Sequence, residues 1–215
     1  MSLADVPMVL ILVGLVAYGV LAFADFGAGS WYVVGERRSR EHALHGMGPV
    51  WEANHVWLIF VITVLWTAYP TVFASIASTL SIPFFLAAIG IILRGGAYAL
   101  RSGTKTAREQ RSVETVLSVS SILTPFALGL IVGAIAGGRV PVGNAAGDIV
   151  TSWWNPLSVT IGLIAVAFSA YLAAVFLSGD AVRRGEAGLA ERFRARALVS
   201  GAVAGTTQAF TVSSN

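Results

Sequence analysis

Five stretches of this chain stay apolar for about as long as a helix needs to cross a bilayer, roughly 20 residues. They cover residues 8–33, 51–69, 82–100, 113–136 and 157–178. A sixth, 197–213, is weaker, because Ser200, Thr206, Thr207, Gln208 and Thr211 interrupt it. In lipid every backbone N–H and C=O needs a partner within the protein, which leaves helices or closed barrels. A barrel strand alternates apolar and polar residues over about ten positions, and these runs do not alternate. The expectation is an all-α, polytopic transmembrane helix bundle, a single domain over residues 1–215. Charge content agrees: 12% of the residues are charged, against about 25% in soluble proteins. The opening "MSLADVP" lacks the basic residues of a secretory signal, so the first run is expected to stay as a span.

The basic residues set an orientation. Arg37, Arg38 and Arg40 follow the first run; Arg101, Lys105, Arg108 and Arg111 follow the third; Arg183, Arg184, Arg192, Arg194 and Arg196 follow the fifth. Twelve of the fourteen Lys and Arg therefore lie in alternate loops. By the positive-inside rule those loops are cytoplasmic and the N-terminus is outside. Trp153 and Trp154 then fall at the outer interface. The net charge of +3 is accounted for by this topology, so no nucleic-acid partner is expected. The chain has no cysteine, which excludes disulfide and thiolate chemistry.

Ionisable side chains within spans cost on the order of 2.5–3.5 kcal/mol at mid-membrane and mark candidate sites. Asp25 lies in "LAFADFGAGSW", Glu52 and His55 open "WEANHVWLIF", and Arg94 lies in "IILRGGAYALR". All four fall in the half of the membrane assigned as cytoplasmic. Glu52 and His55, three apart, share a helix face. A carboxylate and an imidazole facing a wet crevice make a proton relay; a Glu in a first helical turn also simply suits the dipole. Arg94 has two courses, pairing with Asp25 or Glu52 or snorkelling to the interface. His55 reads as a hydrogen-bonded structural residue rather than a metal ligand, and His42 and His45 as solvated. Small residues (Ala24, Gly27, Ala28 and Gly29, then Gly95 and Gly96) thin their helices for close packing. Trp51 and Trp57 fit an interfacial belt or the wall of a site for a flat ring. Pro125, deep in its run, is a candidate kink. No nucleotide-binding loop, hydrolase elbow, zinc-protease motif or haem-attachment motif occurs.

"GPVWEANHVWLIF", with "ADFGAG" upstream and "LRGGAYALR" downstream, resembles subunit II of the cytochrome bd-type quinol oxidases in residue type, order and spacing. That family pairs Asp–x–Gly–x–Gly in its first helix with Trp–acid–x–Asn–x–Val–Trp–Leu–Ile opening the second, and an Arg segment at the inner end of the third. Residues 25–29, residues 51–59 and Arg94 match in turn. The resemblance implies a heterodimer in the bacterial plasma membrane with a larger subunit I, joined in some cases by small accessory subunits. Subunit I would carry haem b, haem d and the quinol site. Quinol oxidation at the outer face would be coupled to reduction of oxygen to water, with protons drawn from the cytoplasm. This chain would then support assembly and the proton path (Glu52, Asp25, His55) and ligate no haem or other metal. Glu52 stands where the family's acid is associated with proton entry; His55 stands where some members have Gln. A structural quinone, which the subunit can hold, would meet Trp51 and Trp57. The family has eight helices, so the chain is expected to be incomplete relative to it. Two other readings stay open: a structural scaffold built on an ionic knot of Asp25, Glu52 and Arg94, and a small proton-coupled transporter.

Overall fold

The computed structural model describes residues 5–34, 39–40, 42–43, 51–101, 103–143 and 146–213, with 33–34, 51–53 and 208–213 described by backbone only. Among them seven helices of ten residues or more follow in order: α1 (Val6–Val34), α2 (Trp51–Ala68), α3 (Pro70–Thr79), α4 (Ser81–Arg101), α5 (Ala107–Ala136), α6 (Pro156–Arg183) and α7 (Ala187–Ser213). No strand occurs among the described residues. Segments Val6–Tyr32, Ser81–Arg101, Ala107–Ala136 and Pro156–Arg183 are long and apolar enough to cross a membrane. The pair α2–α3 makes a fifth if its two arms, bent by 119°, form one broken span. The weak sixth run is helical within α7, which is not among these apolar spans.

Local chemistry explains the boundaries. Pro70 has no N–H to continue α2 and disfavours helical backbone in the residue before it; Tyr69 accordingly sits at φ −134°, ψ 60°. Pro70 is well placed to start a new helix, and α3 forms where the sequence pattern shows only a connection. α5 begins six residues ahead of its apolar run, at a capping box: Thr106 Oγ1 accepts from the Glu109 amide (3.2 Å), and Glu109 Oε2 accepts from the Thr106 amide (3.2 Å). Asn155 caps α6 by accepting from the Ser158 amide at 3.0 Å. α6 ends at a Schellman motif, with Gly185 at φ 73° and its amide on Val182, and the Glu186 amide on Ala181.

α1 lies at the centre. It packs on α5 and α6 on one side and carries α2 on another; α4 covers α5, and α7 covers α6. Burying apolar surface drives little association in lipid, so close backbone approach has to supply packing. A Cβ on Gly133 would lie 2.5 Å from Ser158 Cα, and one on Gly129 would lie 2.6 Å from Gly162 Cα. α5 and α6 thus interlock through two small-residue steps of four. Gly27 lets α1 touch α6 at the Ser169 carbonyl, which a side chain there would overlap. Gly96 differs from the sequence expectation: it faces open space, and Gly90, packed on Thr124, makes the close approach on α4 instead.

Candidate functional site

Among the described residues one ion pair is sealed completely. Asp25 on α1 and Arg94 on α4 are each 0% exposed. The guanidinium meets the carboxylate side-on, Nη2 to Oδ1 at 2.8 Å and Nε to Oδ2 at 3.1 Å. Nη2 also donates to the Asp25 main-chain oxygen at 2.7 Å and to Tyr98 Oη at 3.3 Å, and Nη1 donates to Ser121 Oγ. Every guanidinium nitrogen therefore has an acceptor, the condition under which a buried charge is tolerated. The rings of Phe26 and Tyr98 flank the guanidinium at 5.4 and 5.3 Å. Snorkelling is thereby ruled out for Arg94, some two turns inside its helix end. Gly29 is part of the seat: a Cβ there would lie 2.7 Å from Arg94 Nη1 and would overlap Ser121.

α2 approaches the same region from the other side of α1. Asn54, 0% exposed, donates from Nδ2 to the Leu21 carbonyl at 3.2 Å. His55 sits with its ring centroid 6.3 Å from those of both Tyr18 and Phe26. Phe26 thus touches the imidazole and the guanidinium, an apolar ring shared by the two polar groups. Trp57 lies on the outer side of α2, 36% exposed and edge-on to Phe60. The side chains of Glu52 and Trp51 lie outside the described residues, as does His45; Glu52 is placed only by its backbone, in the first turn of α2.

Sequence reasoning missed Ser121, Tyr98, Phe26 and Tyr18. Tyr98 carried a signal, one turn after Arg94; Ser121 carried none, because only the packing of α5 brings it near. His42 is a correction. Expected to be solvated, it is 8% exposed, with Nε2 3.3 Å from the Leu177 carbonyl and 3.5 Å from Asp180 Oδ2. Its ring packs on Phe193 at 5.8 Å. The amphiphilic imidazole is covered because α6 and α7 meet beneath it. Arg196 on α7 stacks over Trp31 at 5.2 Å, and Trp31 in turn donates to the Ala170 carbonyl at 2.8 Å.

Fold and site together define an all-helical, multi-pass membrane protein organised round a buried carboxylate–guanidinium pair. The family model for cytochrome bd terminal oxidase subunit II matches residues 3–214, and the chain belongs to that family. It is 28% identical over 132 residues to the cytochrome bd ubiquinol oxidase subunit 2 of Bacillus subtilis, an alignment covering 60% of this chain and 39% of the relative. It is 25% identical over 129 residues to a putative cytochrome bd menaquinol oxidase subunit II of the same organism, covering 57% and 36%. A chain of the bd oxidase structure from Geobacillus thermodenitrificans superposes with a TM-score of 0.70 at 26% identity, over 93% of this chain and 64% of that one. The chain thus spans less than two thirds of the relatives it matches.

The family implies haem in the complex. Among the described residues no three of His, Cys, Asp and Glu gather where they could hold a metal ion. His42 has its Nε2 turned to Leu177 and Asp180, and His55 has the rings of Tyr18 and Phe26 beside it.

Proposed function

We propose that this chain acts as the haem-free subunit II of a membrane quinol:oxygen oxidoreductase, with haem b and haem d held by a larger partner subunit. On this reading the Arg-rich end of the bundle faces the cytoplasm and the N-terminus lies outside. Glu52, in the first turn of α2, receives protons there, and His55 and Asp25 stand further along the path. The observation that carries the reading is the family match over residues 3–214, in a chain that places α2's opening turns against α1 beside Asp25. Asp25 and Arg94 act together, since both carboxylate oxygens accept from the guanidinium; the pair sets a fixed field beside the path, and Glu52 is the mobile carrier. Glu52→Ala is expected to abolish most quinol oxidase turnover in purified complex while the haem absorbance stays near wild type. Normal turnover at all pH values would overturn the proton-entry role.

The scaffold reading has its own observation, the complete burial of the Asp25–Arg94 pair. It makes the opposite forecast for Asp25→Ala: loss of haem content and of the partner chain before any loss of turnover per assembled complex. The transporter reading needs a helix broken beside the polar groups. The break at Tyr69 lies about four turns along α2 from His55, at the far end of the bundle.

A further inference from the structure

Where α4 gives way to α5, the surface opens into a cleft of about 510 Å³. That is within the range of small-molecule sites, roughly 300–1,000 Å³. Leu100 and Val113 form an apolar wall; Thr104, Arg108, Ser112 and Glu109 form the polar rim. Leu100 is 66% exposed, and Leu93, seven residues earlier on the same face of α4, is 42% exposed. The wall therefore continues down the helix toward mid-membrane. The sequence here is basic, with Arg101, Lys105, Arg108 and Arg111 against Glu109 and Glu114.

The rim selects what can bind. The carboxylate of Glu109 is taken up by the amides of Lys105 (2.8 Å) and Thr106 (3.2 Å), and Thr106 takes the Glu109 amide in return. The helix end is thus internally capped. The hydroxyl protons of Thr104 and Ser112 go to the carbonyls of Arg101 (2.9 Å) and Arg108 (3.1 Å). What is left for an incoming anion is the exposed guanidinium of Arg108, backed by the neighbouring cations. A ligand with one anionic head at the depth of the α4 terminus and a long apolar tail meets both surfaces.

We propose that this cleft binds an anionic diacyl phospholipid, its phosphate on Arg108 and one acyl chain along Leu100 and Leu93. A zwitterionic lipid would bring its ammonium against the basic corner and is disfavoured. A basic residue near a membrane surface adds on the order of 1 kcal/mol of attraction to anionic lipid, about fivefold in occupancy. The test uses the intact complex with a photo-crosslinking amino acid at Ser112, reconstituted in vesicles of equal parts phosphatidylglycerol and phosphatidylcholine. The expected result is a phosphatidylglycerol adduct that falls about fivefold in Arg108→Gln and is unchanged in Arg139→Gln, a substitution at the opposite end of α5. Four results would each overturn the proposal: equal labelling of the two lipids, an adduct indifferent to Arg108, an adduct to a polypeptide, or displacement by millimolar inorganic phosphate. Arg108 is exposed, so its loss leaves the bundle's packing intact.

Discussion

α5 and α2 are both apolar helices laid against α1, yet they are held differently. α5 is built into the bundle, its glycines locked against α6 and its Ser121 against Arg94. α2 has no glycine. It meets α1 where Val61 and Phe60 fill the space over Gly14, where His55 lies beside Tyr18 and Phe26, and through the bond from Asn54 to Leu21. Much of its surface is open, with Val56 63%, Ile59 64% and Trp66 63% exposed. Apolarity alone does not anchor a helix when lipid is equally apolar. Interlocked backbone and satisfied polar contacts do, and here they concentrate on α1, α4, α5 and α6. The proposed proton carrier stands on the lightly held helix, and the sealed ion pair stands in the tightly held core.

The largest effect should come from breaking the ion pair. Asp25→Leu or Arg94→Leu alone leaves a buried charge without its partner, a loss of about 3–5 kcal/mol. The double replacement should be milder than either single one; thermal unfolding and haem content of the four complexes make the cycle. Damage from the double variant equal to the sum of the singles would show that the two residues act apart. Next comes the α5–α6 lock. Gly133→Ala presses a methyl against Ser158 backbone and should cost about 1–3 kcal/mol. Gly96→Ala meets nothing within 4 Å and should cost nothing. A matching drop in unfolding temperature for both would remove the distinction between locked and open glycines. Asn54→Leu removes one buried hydrogen bond, about 0.5–1.5 kcal/mol. Its signature is local: faster amide exchange along α2, with α5 and α6 unchanged.

The smallest effect lies outside both regions. Asp148, in the connection between α5 and α6, accepts from the amides of Thr151 (2.6 Å) and Val150 (2.9 Å), Thr151's being the larger of the bonds that hold its carboxyl below the usual range. A depressed folded-state pKa means the turn is supported above the ordinary carboxylate range and loosens as pH falls through the lowered value. Protection of the Thr151 amide, its exchange measured against the intrinsic rate at the same pH, should fall on acidification, and Asp148→Ala should abolish that dependence and lower the protection at neutral pH.

Several features were legible in the sequence for plain reasons. Long apolar runs with alternate basic loops admit few folds other than a helix bundle in a membrane. Asp25 and Arg94 stood out because a charge amid apolar residues is costly wherever it points. Other features were not legible. Pro70 is visible as a helix breaker, but whether a second helix follows it, and at 119°, depends on how α3 seats beside α4. His42 looks like a loop residue until α6 and α7 close beneath it. Gly96 and Gly133 are the same residue type in similar helices, yet only one has a neighbouring backbone at contact distance.

The sequence by itself determined the fold class and which residues were too polar to face lipid, because transfer cost and hydrogen-bond accounting act on each segment separately. Only the tertiary structure decided that Arg94 turns inward to Asp25, Ser121 and Tyr98 rather than out to the headgroups. That choice rests on whether other helices supply acceptors for every guanidinium nitrogen, and those acceptors come from residues 25, 98 and 121, far apart in the chain.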